Sequence, residues 1–256
     1  MINGTNRADL PLLNGLFFTS AKEDFVKWDS GKNHDRIILF STDFNLDCFQ
    51  NSAHWFADGT FRTSPLLFDQ LFVIHGLRGD GHNTISVPLV YCLTPNRTGA
   101  TYGRIFSKLK ELRSGVSPLS VKDFEQASSN AFAKYFPDAE QRSCFFHLRQ
   151  ANHRHIQRDS ELLKKMADGR FNLHVRTLIG LAFVPPADVV AAYDELDASP
   201  FFLENKDVLD SYMDYFLNTG IGGFDRRGNR KKPHFLIPLW NCRDAVLQGL
   251  PKNRLD

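Results

Sequence analysis

The chain has 256 residues, of which 42% are hydrophobic and 23% charged, a composition typical of a soluble globular protein. Its formal net charge of +2 predicts no polybasic surface, so any nucleic-acid contact depends on a local patch. Four widely spaced cysteines without a CxxC pair favour free thiols over a disulfide framework. No apolar run approaches the roughly 18 residues that a membrane span needs. The 23 phenylalanines predict a phenylalanine-rich core.

The first part of the chain predicts a lead-in followed by short strands. Residues 1 to about 35 mix glycine, asparagine, aspartate and lysine, with one helix expected near residues 21–27. The β-branched and aromatic run at 36–41 predicts a strand, after which Thr42 or Asp43 caps a short helix that ends near residue 50. The segment His-Trp-Phe-Ala-Asp-Gly-Thr-Phe at 54–61 then predicts a buried strand that carries one carboxylate, Asp58, to its end.

Two further strands, at 70–77 and 84–93, flank a turn-rich segment and complete an antiparallel meander. The apolar period then changes to three and four residues, which predicts a helix over 102–112 and a second one over 126–136. Short strands are expected at 118–121 and 142–147. The resulting order, β-β-β-α-β-α-β, is typical of an α/β fold with a ribonuclease-H-like core.

The remainder of the chain predicts a different organisation. Residues from 148 to about 218 have helical apolar faces interrupted by prolines, and residues 220–233 form a glycine- and arginine-rich loop. We therefore expect a lead-in (1–35), a catalytic core (36–148), a C-terminal helical insertion (149–220), and a basic loop with the start of a last core segment (221–256).

Two carboxylates could meet at one edge of this sheet. Asp58 and Asp123 both follow short strands, and the first and fourth strands of such a core are neighbours. Two carboxylates held close together repel each other unless a divalent cation lies between them, and Mg²⁺ or Mn²⁺ with oxygen ligands suits phosphoryl transfer. On spacing alone a simpler interpretation is favoured, in which Asp58 opens a turn with Gly59 and Asp123 caps a helix.

Five segments, taken in order, resemble the transposase domain of Mutator-like elements, the MULE family. They are Trp-Phe-Ala-Asp-Gly-Thr-Phe at 55–61, Gln-Leu-Phe-Val-Ile-His at 70–75, Val-Pro-Leu-Val-Tyr at 87–91, Asp-Phe-Glu at 123–125 and Cys-Phe-Phe-His at 144–147. The similarity runs from about Arg36 to the end of the chain. No single motif is specific, but five in order at sensible spacing are.

The resemblance implies a ribonuclease-H-like core with a helical insertion, which cuts and rejoins DNA with two aspartates, one glutamate and divalent metal ions (Mg²⁺ or Mn²⁺). It assigns the first aspartate to Asp58 and the second to Asp123, both as catalytic metal ligands. The family's third acid follows a segment like that at 250–254, so no residue is assigned to it here. We expect either a fragment or an incomplete triad. The resemblance also implies DNA as the partner and a nuclear location, and it leaves a homo-oligomer possible.

Cys144 and His147 match a Cys-x-x-His motif of the family. A thiolate and an imidazole at this spacing could supply half of a zinc site, but no second pair follows at the spacing of a zinc finger. We therefore expect a buried Cys144 and a hydrogen-bonded His147 near the active-site edge, without zinc.

Two local basic patches are candidates for DNA contact. One lies on a predicted helix and comprises Arg149, Arg154 and Arg158 together with His153 and His155; the other is a loop that carries Arg226, Arg227, Arg230, Lys231 and Lys232. Either could neutralise phosphates, although a solvated helix face and a surface loop explain the same residues.

Three hypotheses follow for function. The first is a MULE-type transposase domain that carries out metal-dependent DNA strand cleavage and transfer. The second is a catalytically inactive, transposase-derived DNA-binding or regulatory protein. The third is a protein-interaction scaffold built on the helical region.

Overall fold

The computed structural model describes residues 6–11, 17–60, 63–79, 85–122, 125–142 and 145–249. These residues divide into two compact units, a sheet unit that ends at Gln141 and a helical unit that begins at Arg142. The mixed α/β class predicted from the sequence is confirmed.

A seven-stranded sheet is built from the described residues of the chain's first half. Its strands are β1 (Val26–Asp29), β2 (Ile38–Phe40), β3 (His54–Thr60), β4 (Gln70–Arg78), β5 (Ile85–Thr94), β6 (Ser120–Lys122) and β7 (Glu140–Arg142). They lie in the order β1-β2-β5-β4-β3-β6-β7. Strands β3, β4 and β5 pair antiparallel, as expected for a meander. Strand β6 then pairs with β3 in parallel, with His54 opposite Ser120 and Phe56 opposite Lys122.

Helices cover one face of the sheet because their apolar stripes match its inward-facing residues. They are α1 (Asp43–Asn51), α2 (Gly99–Leu112) and α3 (Gln126–Tyr135). Thr42 caps α1, where its hydroxyl accepts a hydrogen bond from the Asn45 amide at 3.0 Å. The core below the helices is rich in phenylalanine, as predicted, and includes Phe49, Phe72, Phe106, Phe132 and Phe136 around Trp55. A smaller cluster on Ile38 and Phe40 covers the other face near the N-terminus.

Two elements differ from the sequence-based expectation. Residues 21–27 form no helix, and strand β1 begins at Val26 instead. The extended chain is favoured because Phe25 packs on Phe40 and Tyr91, at ring-centroid distances of 5.6 and 6.2 Å. The strand expected at 142–147 is wrong as well. Strand β7 ends at Arg142, and a helix occupies the chain from Phe145. Phe145 and Leu148 belong to the apolar stripe of that helix, since both pack against the core of the helical unit.

The helical unit matches the long helical stretch expected from the sequence. Its α-helices are α4 (Phe145–Arg158), α5 (Ser160–Lys165), α6 (Gly169–Gly180), α7 (Val189–Asp197), α8 (Pro200–Glu204), α9 (Lys206–Phe216), α10 (Ile237–Trp240) and α11 (Arg243–Leu247). Asp159 and Asp168 cap α5 and α6 with their carboxylates. The core of the unit gathers around Leu178, Leu209 and Tyr212, which are fully buried.

Candidate active site and nucleic-acid contacts

Asp58 lies within β3, directly opposite Val73 of β4. The strand continues to Thr60, so Asp58 is two residues inside the strand rather than at its end, where the sequence placed it. Alternation along the strand separates Asp58 from Trp55 and Ala57, which belong to the helix-covered core. The carboxylate therefore points to the opposite face, and its residue is half-buried.

Glu125 is a described acid whose carboxyl is influenced by the charge of Asp58, and sequence reasoning assigned it no role. It precedes α3, and burial raises the pKa of its carboxyl above the ordinary value. The negative charges of Asp69 and Asp58 raise that pKa further, while the Tyr102 hydroxyl and Arg97 lower it. The charge of Asp58 is the smallest of these influences on Glu125.

A buried chain of hydrogen bonds fixes Glu125. The Tyr102 hydroxyl, on α2, donates to Glu125 Oε2. The same hydroxyl accepts a hydrogen bond from Gln70 Nε2. Tyr102 and Gln70 are both fully buried, so neither side chain can exchange this partner for bulk water. The first residue of β4 thus orients a carboxylate that precedes α3.

Gly59 makes room for this arrangement. A Cβ atom at this position would lie 2.0 Å from Gln70 Oε1 and 2.9 Å from Gln70 Cδ. The glycine that follows Asp58 is therefore required by the close approach of the Gln70 amide, and not by a turn, because Gly59 is paired within β3 opposite Phe72. The simpler interpretation of Asp58-Gly59 as the opening of a turn is wrong for these two residues.

Arg97 supplies the cation of this region. Its Nε lies 2.9 Å from Asp69 Oδ2 and 4.0 Å from Glu125 Oε1. Arg97 therefore offsets part of the negative charge of Asp69 and Glu125.

Asp123, the second predicted metal ligand, lies outside the described residues. The described pairing of β6 with β3 ends at Lys122, opposite Phe56, which is one residue before Asp123 on β6 and two residues before Asp58 on β3. Among the described residues no group of three or more histidine, cysteine, aspartate or glutamate side chains has the spacing of a metal site. If a metal were bound here, Asp58 and Asp123 would be its predicted ligands, with Glu125 beside them.

Cys144 and the side chain of His147, which form the Cys-x-x-His motif, lie outside the described parts of the structure. Cys48, Cys92 and Cys242 are free thiols, in line with the expected absence of a disulfide framework at these positions. Burial raises the pKa of the Cys92 thiol, so that side chain acts as a core residue and not as a nucleophile.

The predicted basic helix is α4, and the structure divides its polar residues between two faces. His155 belongs to the inner face, where its ring stacks on Tyr215 with 4.2 Å between centroids, and burial lowers its pKa. On the same face Asn152 Oδ1 accepts a hydrogen bond from the Tyr212 hydroxyl at 3.0 Å. The outer face is exposed and carries the following residues: Arg149, His153, Arg154 and Arg158.

The predicted basic loop is an ordered hairpin. Phe224 and Arg230 form an antiparallel bridge, and the Asp225 carboxylate accepts hydrogen bonds from the amides of Arg227 and Asn229. Arg230 binds both carboxylate oxygens of Asp194, at 2.9 and 3.0 Å, so this arginine holds the hairpin to α7. The other loop cations are exposed: Arg226, Arg227, Lys231 and Lys232.

Within the described residues, the helices are all too short or too polar to cross a membrane. A comparison with curated proteins gave no significant match to the chain. A comparison with protein families gave a match to the MULE transposase domain over residues 54–151. This segment runs from the start of β3 into α4 and so contains Asp58, Asp123 and Glu125 as well as the Cys-x-x-His motif. Residues 54–151 therefore match the MULE transposase domain, and the resemblance inferred from the five motifs is confirmed over that segment.

Proposed function

We propose that this chain contributes the catalytic core of a DDE-type transposase, which cleaves and joins DNA strands with the help of divalent metal ions. The observation that carries the proposal is the parallel pairing of β3 with β6, because it aligns the strand that contains Asp58 with the strand that leads into Asp123. The family match over the same residues supports it.

The arrangement of strands supports a ribonuclease-H-like core within residues 36–148. Strands β5, β4, β3, β6 and β7 follow one another in the sheet, which is the order that a meander followed by two crossovers produces. The helices from α4 onward are consistent with an insertion over 149–220, followed by the basic loop and a last core segment within 221–256. Residues 1–35 then precede the core.

Asp58 and Asp123 are the proposed ligands of Mg²⁺ or Mn²⁺, and Glu125 is a positioned acid beside them. Divalent cations held by such carboxylates activate an attacking oxygen and stabilise the leaving one. Neighbouring side chains hold the acidic edge, which comprises Asp58, Asp123 and Glu125, in place. Tyr102 and Gln70 fix the Glu125 carboxylate, while Arg97 limits the repulsion between Glu125 and Asp69.

DNA is the proposed substrate, with the exposed face of α4 and the basic hairpin as proposed contacts. Arg149, Arg154 and Arg158 would approach backbone phosphates from α4, and Arg226, Arg227, Lys231 and Lys232 from the hairpin. Arg230 has a structural role in addition, since it is paired with Asp194. A nuclear location is part of the same proposal.

Calorimetric titration of the full chain with Mn²⁺ tests the site. We expect binding by the wild type and its loss in both Asp58→Asn and Asp123→Asn. Asp138→Asn, which removes one exposed carboxylate elsewhere in the sheet unit, should bind as the wild type does. Binding that persists in Asp58→Asn, or that is missing from the wild type, would contradict the assignment.

Nicking of a supercoiled plasmid in Mn²⁺ separates this proposal from its alternative. A chain that binds Mn²⁺ through Asp58 and Asp123 and nicks DNA is a transposase core. A chain that binds DNA but neither binds Mn²⁺ nor nicks the plasmid is the alternative, a catalytically inactive, transposase-derived DNA-binding protein.

A further inference from the structure

A cleft of about 380 Å³ lies between α4 and α6 inside the helical unit. Arg149 and His153 of α4 line one side, and Arg176 of α6 lines the other. Residues four positions apart on a helix share a face, so Arg149 and His153 both face the cleft. None of the described residues that line the cleft is acidic. Like charges brought together from two helices repel each other, and a bound anion would turn this repulsion into attraction.

Two amides add hydrogen-bond donors to the cleft. Gln150 Oε1 accepts a hydrogen bond from Arg154 at 2.9 Å, which leaves the amide nitrogen of Gln150 as a donor. Asn172 donates one amide N–H to the Met166 carbonyl at 3.0 Å and retains its second N–H. The donors of the cleft are therefore two guanidinium groups, one imidazole and the remaining N–H groups of two amides.

The size and lining of the cleft suit a sugar phosphate. A volume of about 380 Å³ accommodates a phosphate with its attached sugar. The floor is apolar and includes Ile156 and Ile179, which suits the carbon face of a sugar. Arg154 and Arg158 are exposed cations on other sides of α4 and do not line the cleft. Their charges add to the positive potential around the cleft, which favours a polyanion over a single phosphate group.

We propose that the α4–α6 cleft binds a backbone phosphate of DNA, with Arg149 and Arg176 as opposed guanidinium contacts. The proposal adds Arg176 of α6 to the DNA contacts that the basic residues of α4 predict. The inference rests on the proposed function in one respect, namely that DNA is the substrate. It does not depend on metal binding or on strand cleavage.

Fluorescence anisotropy with a labelled duplex of random sequence, in buffer containing EDTA, tests the cleft in the full chain. Each of Arg149→Gln and Arg176→Gln should reduce the slope of log K against log[salt] by about 0.9, or about eightfold in affinity at 0.1 M salt. The loss should be equal for duplexes of different sequence, because phosphate contacts do not read bases.

Arg170→Gln is the matched control. It removes the same charge from the same helix, but Arg170 lines a different cavity with Phe171 and Phe201. We expect its binding curve to stay near that of the wild type. If Arg149→Gln and Arg176→Gln bind DNA no more weakly than Arg170→Gln, the proposal is wrong. Thermal unfolding of all three variants verifies that the helical unit remains folded.

Inorganic phosphate distinguishes the two possible sources of the anion. Titrated at constant ionic strength, it should perturb the His153 ring resonances only weakly, while the duplex perturbs them strongly. Strong binding of inorganic phosphate, together with unchanged DNA affinity in Arg149→Gln, would identify a small-anion site and overturn the assignment to DNA. A wild-type chain that binds DNA through the cleft but binds no Mn²⁺ would contradict the metal site alone, so the two proposals fail separately.

Discussion

Gly59→Ala is the substitution that tests the arrangement beside Asp58 most directly. The added methyl group would lie 2.0 Å from Gln70 Oε1, at least 1 Å closer than the 3.0 Å that real Cβ atoms keep from their neighbours. Gln70 cannot swing into solvent, because it is fully buried and donates to the Tyr102 hydroxyl. Among the described residues no group donates a hydrogen bond to Gln70 Oε1, so the clash expected at this atom is steric.

The magnitude follows from two opposing contributions. Overpacking a buried site costs about 1–3 kcal/mol, and loss of the Gln70–Tyr102 hydrogen bond adds about 1 kcal/mol. Alanine offsets about 0.5–1 kcal/mol by restricting the unfolded chain. We therefore expect Gly59→Ala to lower the free energy of unfolding of the sheet unit by about 1–3 kcal/mol. In a Gln70→Ala background the amide is gone, and the same methyl group should cost close to nothing.

Urea denaturation of the four members of this double-mutant cycle provides the measurement. A Trp240→Phe background confines tryptophan fluorescence to Trp28 and Trp55, which both lie in the sheet unit. Gly99→Ala is the control, since the Cβ there would meet its nearest atom at 3.9 Å, and we expect it to be neutral or stabilising. Equal losses from Gly59→Ala in both backgrounds would refute the close approach of Gln70 to Gly59.

Two further predictions concern buried polar groups. Burial raises the pKa of Glu125 above its ordinary value of 4.5, so the folded chain binds a proton more tightly than the unfolded chain. In EDTA, the free energy of unfolding should therefore fall as pH rises from 4.5 through the raised pKa. Urea midpoints measured across pH should show this dependence in the wild type and lack it in Glu125→Gln. Tyr212→Phe removes the hydroxyl that donates a hydrogen bond to the buried Asn152 Oδ1. We expect urea denaturation to show that the helical unit is destabilised by about 1–3 kcal/mol. An unchanged midpoint would mean that this hydrogen bond contributes little to stability.

The strands could be predicted from the sequence where local pattern and packing agree. Strands β3, β4 and β5 are β-branched or aromatic runs between turn residues, so their identity follows from local chemistry. Strand β1 was missed because residues 21–27 contain good helix formers, and only the packing of Phe25 on Phe40 decides for an extended chain. The beginning of α4 was read as a strand because a short apolar run such as 144–147 fits either structure until its neighbours are known.

The site could be predicted in part. Asp58 stands out as a lone acid within an apolar strand, and the motif order identified its family. Glu125, Tyr102 and Gln70 did not stand out, because they are joined by contacts across 23 and 32 residues of sequence. Tyr102 has the spacing of a core residue in the apolar stripe of α2, and only its hydroxyl group reveals a second role. The sequence shows only a glutamine at the start of an apolar strand, and such a side chain requires a partner if it is buried.

The parallel pairing of β3 with β6 has a consequence for the order of folding. Arg78 and Ile85 pair across only residues 79–84, whereas His54 and Ser120 pair across 66 positions of sequence. Chain entropy makes the longer closure about 2 kcal/mol more costly, and this difference is recovered only once α2 has packed on the meander and shortened the effective loop. The acidic edge is thus assembled after the meander, and a partly folded chain that contains only β3, β4 and β5 presents Asp58 without the strand that leads to Asp123.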